Sequence, residues 1–184
     1  MSETSKKHKR EAPKRLNFAV FTCSTSRYHQ LRMGKRVEDV SGDLIETMLK
    51  NAGHQVTLRK LVPDDKTLIR KCMKQTLASP NLDAAVFCGG TGIAPSDMTI
   101  ETVSPYLEKV LPGFGEIFRR LSFDAVGSSA ILSRAVAGVS HGKAIFCVPG
   151  SPDAVRLCTE KLIVPEASHV VKHAGEPAHP SKTQ

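Results

Sequence analysis

The chain has 184 residues, 40% of them hydrophobic and 24% charged, with a net charge of +8. That length suits one compact domain at a usual ~150 residues per domain, and the balance excludes a wholly disordered chain. No stretch approaches the ~18 apolar residues of a membrane-spanning helix, and the charged start MSETSKKHKREAPKR has no apolar block behind it, so it does not read as a secretory signal.

Half of the charge sits in one tail. Residues 1–15 carry six Lys or Arg against Glu3 and Glu11, a charge of +4; residues 172–184 carry +1, leaving +3 for the body. Residues 1–15 read as a solvated extension. The alternative is an arm for nucleic acid or another anionic surface, but the tail has no aromatic residue to stack on bases.

The folded part is expected to start near Leu16. LNFAVFTC (16–23) is an apolar run that reads as a buried strand. After a polar stretch, residues 41–53 predict a helix with Ser41 as N-cap, Leu44, Ile45, Met48 and Leu49 on one face, and Gly53 at its end. HQVTLRKLV (54–62) alternates in part and reads as a strand. Pro63-Asp64-Asp65 opens a second helix with Leu68, Ile69, Cys72 and Met73 on its apolar face. DAAVFC (83–88) is a short apolar strand flowing into Gly89-Gly90-Thr91-Gly92. Helices are expected over 99–110, 113–121 and 128–138. KAIFCVPG (143–150) is a buried strand ending in a Pro-Gly turn, and the rest runs out as helix, interrupted at Pro165.

Strands that are apolar on both faces and alternate with helices predict an α/β three-layer sandwich around a mostly parallel sheet. The five cysteines, Cys23, Cys72, Cys88, Cys147 and Cys158, are scattered with no zinc spacing and lie mostly in apolar runs. They read as reduced core thiols.

Open parallel sheets bind ligands at the carboxyl ends of their strands. Two such ends carry small-residue loops: Gly89 to Asp97, and Pro149-Gly150-Ser151-Pro152. Glycines there let backbone N–H groups approach an anion, and Thr91 and Ser151 add hydroxyls. The dinucleotide pattern GxGxxG fails at Pro95, and the P-loop pattern is absent. Asp64 and Asp97 follow strand ends on the same side if the strands run parallel. As a pair they offer the hard oxygens that Mg²⁺ prefers; each could equally be a helix N-cap. Arg134, among small apolar neighbours, needs a partner for its charge, either a phosphate or an internal carboxylate.

Gly89-Gly90-Thr91-Gly92 with Asp97-Met98-Thr99, GFGEIFR (113–119), LSF (121–123), ILSRAVAG (131–138) and Pro149-Gly150-Ser151 together resemble the MoaB/MogA family of molybdenum-cofactor biosynthesis. Ser24-Thr25-Ser26-Arg27 and Asp39-Val40-Ser41-Gly42 look like its MoaB branch. The resemblance spans about residues 16–172, leaving tails over 1–15 and 173–184. It implies a cytoplasmic homo-oligomer, trimer or hexamer, that transfers adenylyl from ATP to the terminal phosphate of molybdopterin with Mg²⁺, releasing pyrophosphate on the way to a molybdenum or tungsten cofactor. The family's two essential aspartates match Asp64 and Asp97, and the serine of its Leu-Ser-Arg motif matches Ser133. Gly89, Gly90, Thr91, Gly92, Gly150 and Ser151 would cradle the substrates, with Ser24, Ser133 and Arg134 as secondary contacts. A MoaB-type protein that binds molybdopterin without adenylylating it is the alternative, and nucleic-acid association through the tail a second.

Overall fold

A computed structural model describes residues 12–176; the tails beyond them, including most of the basic segment, lie outside the described residues. In chain order the elements are β1 (Asn17–Cys23), α1 (Thr25–Arg32), α2 (Val40–Asn51), β2 (Gln55–Val62), α3 (Lys66–Ala78), β3 (Ala84–Cys88), α4 (Thr99–Val103), β4 (Lys109–Val110), α5 (Pro112–Val126), β5 (Val136–Ser140), β6 (Lys143–Val148), α6 (Pro152–Cys158) and α7 (Val164–Ala174). Short 3-10 turns cover Ser104–Tyr106 and Gly127–Leu132, and a π turn covers Thr159–Ile163.

The six strands form one sheet in the order β2-β1-β3-β6-β5-β4. The first four run parallel; β5 and β4 add an antiparallel margin. Residues 18–23 of β1 and all of β3 and β6 are buried, as two-sided apolar runs demand, whereas β2 alternates because it is an edge. Successive residues feed opposite layers. Phe18, Val20, Val86 and Phe146 pack beneath α2, α5, α6 and α7. Ala19, Phe21, Phe87 and Ile145 meet Ile69, Cys72 and Met73 of α3 and Val103 of α4. This is the expected three-layer α/β sandwich.

The chain leaves β1 for β2 through α2 on one face and returns to β3 through α3 on the other. The winding therefore reverses between β1 and β3. Cys23 pairs with Val62, and Cys88 with Val148, so the four carboxyl ends finish nearly level. Such a switch point is where open α/β sheets form a crevice.

Several local expectations fail for identifiable reasons. Helix α2 is capped by Asp39, whose carboxylate accepts from Gly42 N at 3.1 Å; Ser41 lies inside the helix and donates to Gly150 O at 2.8 Å. The expected helix over 99–110 is only α4 and a 3-10 turn: Pro105 lacks the N–H needed to continue it, and 109–110 join the sheet. The expected helix over 128–138 is a 3-10 turn followed by extended chain, because 136–140 pair with β6. Helix α1 was not expected; no residue in it is buried, so it lacks an apolar periodicity. Pro165 does not interrupt the last helix. A π turn precedes it and places it in the first turn of α7, where a missing N–H costs little.

Candidate active site

Four loops meet at the carboxyl edge of β1, β2, β3 and β6. The loop after β2 carries two adjacent acids with separate duties. Asp65 caps α3, accepting from Leu68 N at 2.8 Å, and so leaves Asp64 outside the helix. Asp64 Oδ2 instead accepts from Thr25 N and Thr25 Oγ1, both at 3.3 Å, while Asp64 N donates to Thr25 Oγ1 at 3.0 Å. Its other oxygen, Oδ1, is buried and accepts no hydrogen bond. Burial pushes this carboxyl above the usual range; the Thr25 bonds oppose the shift, and the charge of Asp97 adds to it.

The glycine loop after β3 is shaped around that oxygen. Gly89 and Gly90 both have positive φ, +96° and +60°. A Cβ on Gly90 would collide with Asp64 Oδ1 and lie 2.6 Å from Thr99 Oγ1, so the carboxylate and the hydroxyl lean over one bare stretch of backbone. Gly92 stands in the same relation to Asp97, whose Oδ2 would lie 2.7 Å from a Cβ there. Asp97 is not the cap of α4, a position held by Met98; its Oδ2 accepts from Ala94 N at 2.8 Å and closes its own loop. A Cβ on Gly150 would stand 3.1 Å from Gly89 Cα, so the loops after β3 and β6 touch through backbone. Cys23, beside Thr99, is buried and its thiol is pushed up to about 12, too high to act as a nucleophile at neutral pH. All five cysteines are free and buried, as expected.

Arg134 precedes β5 in extended chain. Its Nε donates to Thr91 O at 2.9 Å, Nη2 to Gly92 O at 2.5 Å and Nη1 to Glu101 at 2.6 Å. Glu101 is an internal carboxylate partner of the kind the sequence allowed for Arg134. The guanidinium is spent on holding the glycine loop, and it holds the Glu101 carboxyl below its usual range. A second brace lies behind the loops: Arg59 Nη2 and Thr22 Oγ1 both reach Asp39 Oδ2 at 2.8 Å, fixing the start of α2 and hence the Ser41 bond to Gly150.

The remaining expected residues lie along the same rim. Ser24 directly follows β1 and its Oγ is 3.4 Å from Ser26 Oγ. Ser151 caps α6 at 3.4 Å from Ala154 N. Ser133 and Ser151 line a cavity of about 440 Å³ with Phe118, Val126, Arg156 and Lys161. Thr25, Thr99, Glu101 and the Asp39–Arg59 brace escaped sequence reasoning as site-shaping groups. Thr25 had one signal, a hydroxyl two positions beyond a buried strand.

An orphaned, buried carboxylate oxygen beside a second acid fits a hard cation. No three His, Cys, Asp or Glu side chains converge as a metal cage among the described residues.

The switch-point crevice, its glycine loops and its acids mark the ligand-binding edge of a doubly wound α/β protein. Residues 19–169 match the family described as "Probable molybdopterin binding domain", and the chain belongs to that family. It is 45% identical over 166 residues to molybdenum cofactor biosynthesis protein B of Halalkalibacterium halodurans, covering 90% of this chain and 94% of that one. It is 40% identical over 173 residues to a molybdopterin adenylyltransferase of Pyrococcus furiosus, covering 92% and 97%. The crystal structure of the tungsten cofactor synthesizing protein MoaB from Pyrococcus furiosus superposes with a TM-score of 0.79 at 38% identity, covering 90% of this chain and all of that one. Among the described residues no helix is long and apolar enough to cross a membrane.

Proposed function

We propose that the chain transfers adenylyl from ATP to the terminal phosphate of molybdopterin, in the synthesis of a molybdenum or tungsten cofactor. An oxygen of that phosphate attacks the α-phosphorus of ATP, the bond from the α-phosphorus to its bridging oxygen breaks, and pyrophosphate leaves. The observation that carries this reading is the buried, partnerless Asp64 Oδ1 aimed at the bare backbone of Gly90.

Phosphoryl-type transfer asks little covalent chemistry of the protein. It asks for two anions held in line with their repulsion reduced. At about 4 Å and an effective dielectric of ~20, two unit charges repel by about 4 kcal/mol, which is roughly a thousandfold in rate. Mg²⁺ held by Asp64 and Asp97 would supply that screening. Gly89 N donates to Val148 O at 2.9 Å and fixes the loop, so the backbone N–H groups of residues 90–92 are the ones that would receive phosphate oxygens, with no Cβ to intervene at Gly90 and Gly92. Ser133, Ser151, Arg156 and Lys161 offer hydroxyls and positive charge to the rest of the substrate in the adjoining cavity. Arg134 works one step back, as a positioning residue that fixes the loop.

The working state in this reading is a cytoplasmic homo-oligomer, a trimer or hexamer. Exposed Ile117, Phe123, Val126, Ile131 and Leu132 on α5 and the turn after it supply apolar surface suited to a subunit contact. The test is purified protein with molybdopterin, ATP and Mg²⁺. Adenylyl-molybdopterin and pyrophosphate should form only when all three are present. Tight molybdopterin binding without pyrophosphate release would overturn the enzymatic reading in favour of a binding protein.

A further inference from the structure

Among the described residues, four buried side-chain oxygens make no hydrogen bond: Asp64 Oδ1, Thr99 Oγ1, Thr102 Oγ1 and Thr159 Oγ1. Two of them meet at one place. A Cβ on Gly90 would strike Asp64 Oδ1 and stand 2.6 Å from Thr99 Oγ1, so both oxygens look onto the space that the glycine leaves bare. They arrive from different elements, Asp64 from the loop after β2 and Thr99 from the first position of α4. Each is held by its other atoms: Asp64 Oδ2 accepts from Thr25, and Thr99 N donates to Gly90 O at 2.9 Å. Thr99 is fully buried.

Leaving one buried oxygen unpaired is costly, and here two share a single point. The Cys23 thiol also lies beside Thr99. Burial pushes that thiol up, and the Thr99 hydroxyl opposes the rise, as a proton turned toward the sulfur would. The contact is too loose to be a hydrogen bond, and it leaves the lone pairs of Thr99 Oγ1 for the side of Asp64. Two acceptors then face one space. A water could donate to both, but it would bring no charge. Burial and the charge of Asp97 both disfavour the ionised form of Asp64. The guanidinium groups built into these loops are committed elsewhere, Arg134 to Glu101 and Arg59 to Asp39, Asp43 and Glu46. A hard divalent cation meets both needs, since it takes oxygen ligands and carries charge. A Thr or Ser hydroxyl beside an Asp is the pair that holds Mg²⁺ in P-loop NTPases, on an unrelated loop.

We propose that Thr99 Oγ1 joins Asp64 Oδ1 as a direct ligand of a hard divalent cation over Gly90, with Asp97 supplying further negative charge. Thr99 then serves the ion with its hydroxyl and the glycine loop with its backbone. The inference rests on the adenylyl-transfer reading for what the ion does, and its test uses neither ATP nor molybdopterin, so the two can fail separately.

The test is titration of MnCl₂ into the full-length, nucleotide-free protein, followed by loss of the free Mn²⁺ signal in electron paramagnetic resonance. Wild type should take up one equivalent. Thr99→Val and Thr99→Ala both delete the hydroxyl and should weaken uptake by about tenfold or more, whereas Thr99→Ser should bind nearly as wild type. Thr102→Val deletes another buried, unpaired hydroxyl of α4 and should bind as wild type. In EDTA, Thr99→Val should melt no lower than wild type, because its hydroxyl has no bond to lose. Added MgCl₂ should then raise the melting temperature of wild type and Thr99→Ser but not of Thr99→Val. No Mn²⁺ uptake by wild type, as a bridging water predicts, or uptake by Thr99→Val as tight as that of wild type, or equal weakening in Thr102→Val, would overturn the site.

Discussion

Thr25 and Asp64 grip each other reciprocally: the Thr25 hydroxyl accepts from Asp64 N at 3.0 Å, and Asp64 Oδ2 accepts from Thr25 N and Oγ1. This ties the loop after β2 to the start of α1 across the end of β1. It uses one carboxylate oxygen for positioning and leaves the other for chemistry.

Asp64→Asn keeps the Oδ2-type acceptor but loses the charge. Adenylyl transfer should fall by about 100-fold or more, since a hard cation needs an anionic oxygen. Stability should move the other way. Burial raises the folded-state carboxyl above its unfolded value, so wild type binds more protons at this position when folded and loses stability as pH rises through the raised value. The melting temperature of Asp64→Asn relative to wild type should therefore increase from below pH 4 to pH 8. A flat difference across that range would show that ionised Asp64 costs the fold nothing.

Asp97→Asn separates loop closure from charge. The amide oxygen can still accept from Ala94 N, so the melting temperature should change by less than about 2 °C. Transfer activity should drop by about 100-fold, and added Mg²⁺ should restore part of it. Full activity at low Mg²⁺ would reduce Asp97 to a loop closer.

Gly90→Ala puts a Cβ into Asp64 Oδ1 and forces a left-handed backbone on an L-residue. Strain of this kind costs about 1–2 kcal/mol. Urea unfolding should show that loss, and calorimetry should show weakened ATP or molybdopterin binding. Gly34→Ala, also at positive φ but with nothing within 4 Å, should cost stability without touching binding.

Arg134→Lys tests the loop clamp. An ammonium cannot reproduce the planar fork that serves Thr91 O, Gly92 O and Glu101 together. Turnover should fall roughly tenfold or more with little change in melting temperature, because the Glu101 pair is partly exposed. If steady-state kinetics show only a raised KM for ATP, Arg134 contacts substrate directly.

The central strands were legible because burial on both faces writes an unbroken apolar run. Candidate site positions were legible because glycine loops and acids follow those strands directly. What sequence hid was decided by distant partners. SSAILSRAVAG is small and apolar enough for either helix or strand, and pairing with β6 settles it. Asp64 and Asp65 are adjacent acids; only the contact with Thr25, 39 positions away, separates the cap from the candidate ligand. Arg134 finds Glu101 across 33 positions, a pairing that no local spacing encodes.

The buried thiols make the molecule a reporter on itself. Cys23 and Cys88 end β1 and β3, and Cys147 sits next to the end of β6, all beneath the site loops. An alkylating reagent reaches them only when those strand ends open, so the rate of modification is a clock for local opening. A ligand that bridges the loops should slow that clock at these three sulfurs more than at Cys72 on α3. Mass spectrometry of labelled peptides would then read occupancy of the crevice without any assay of turnover.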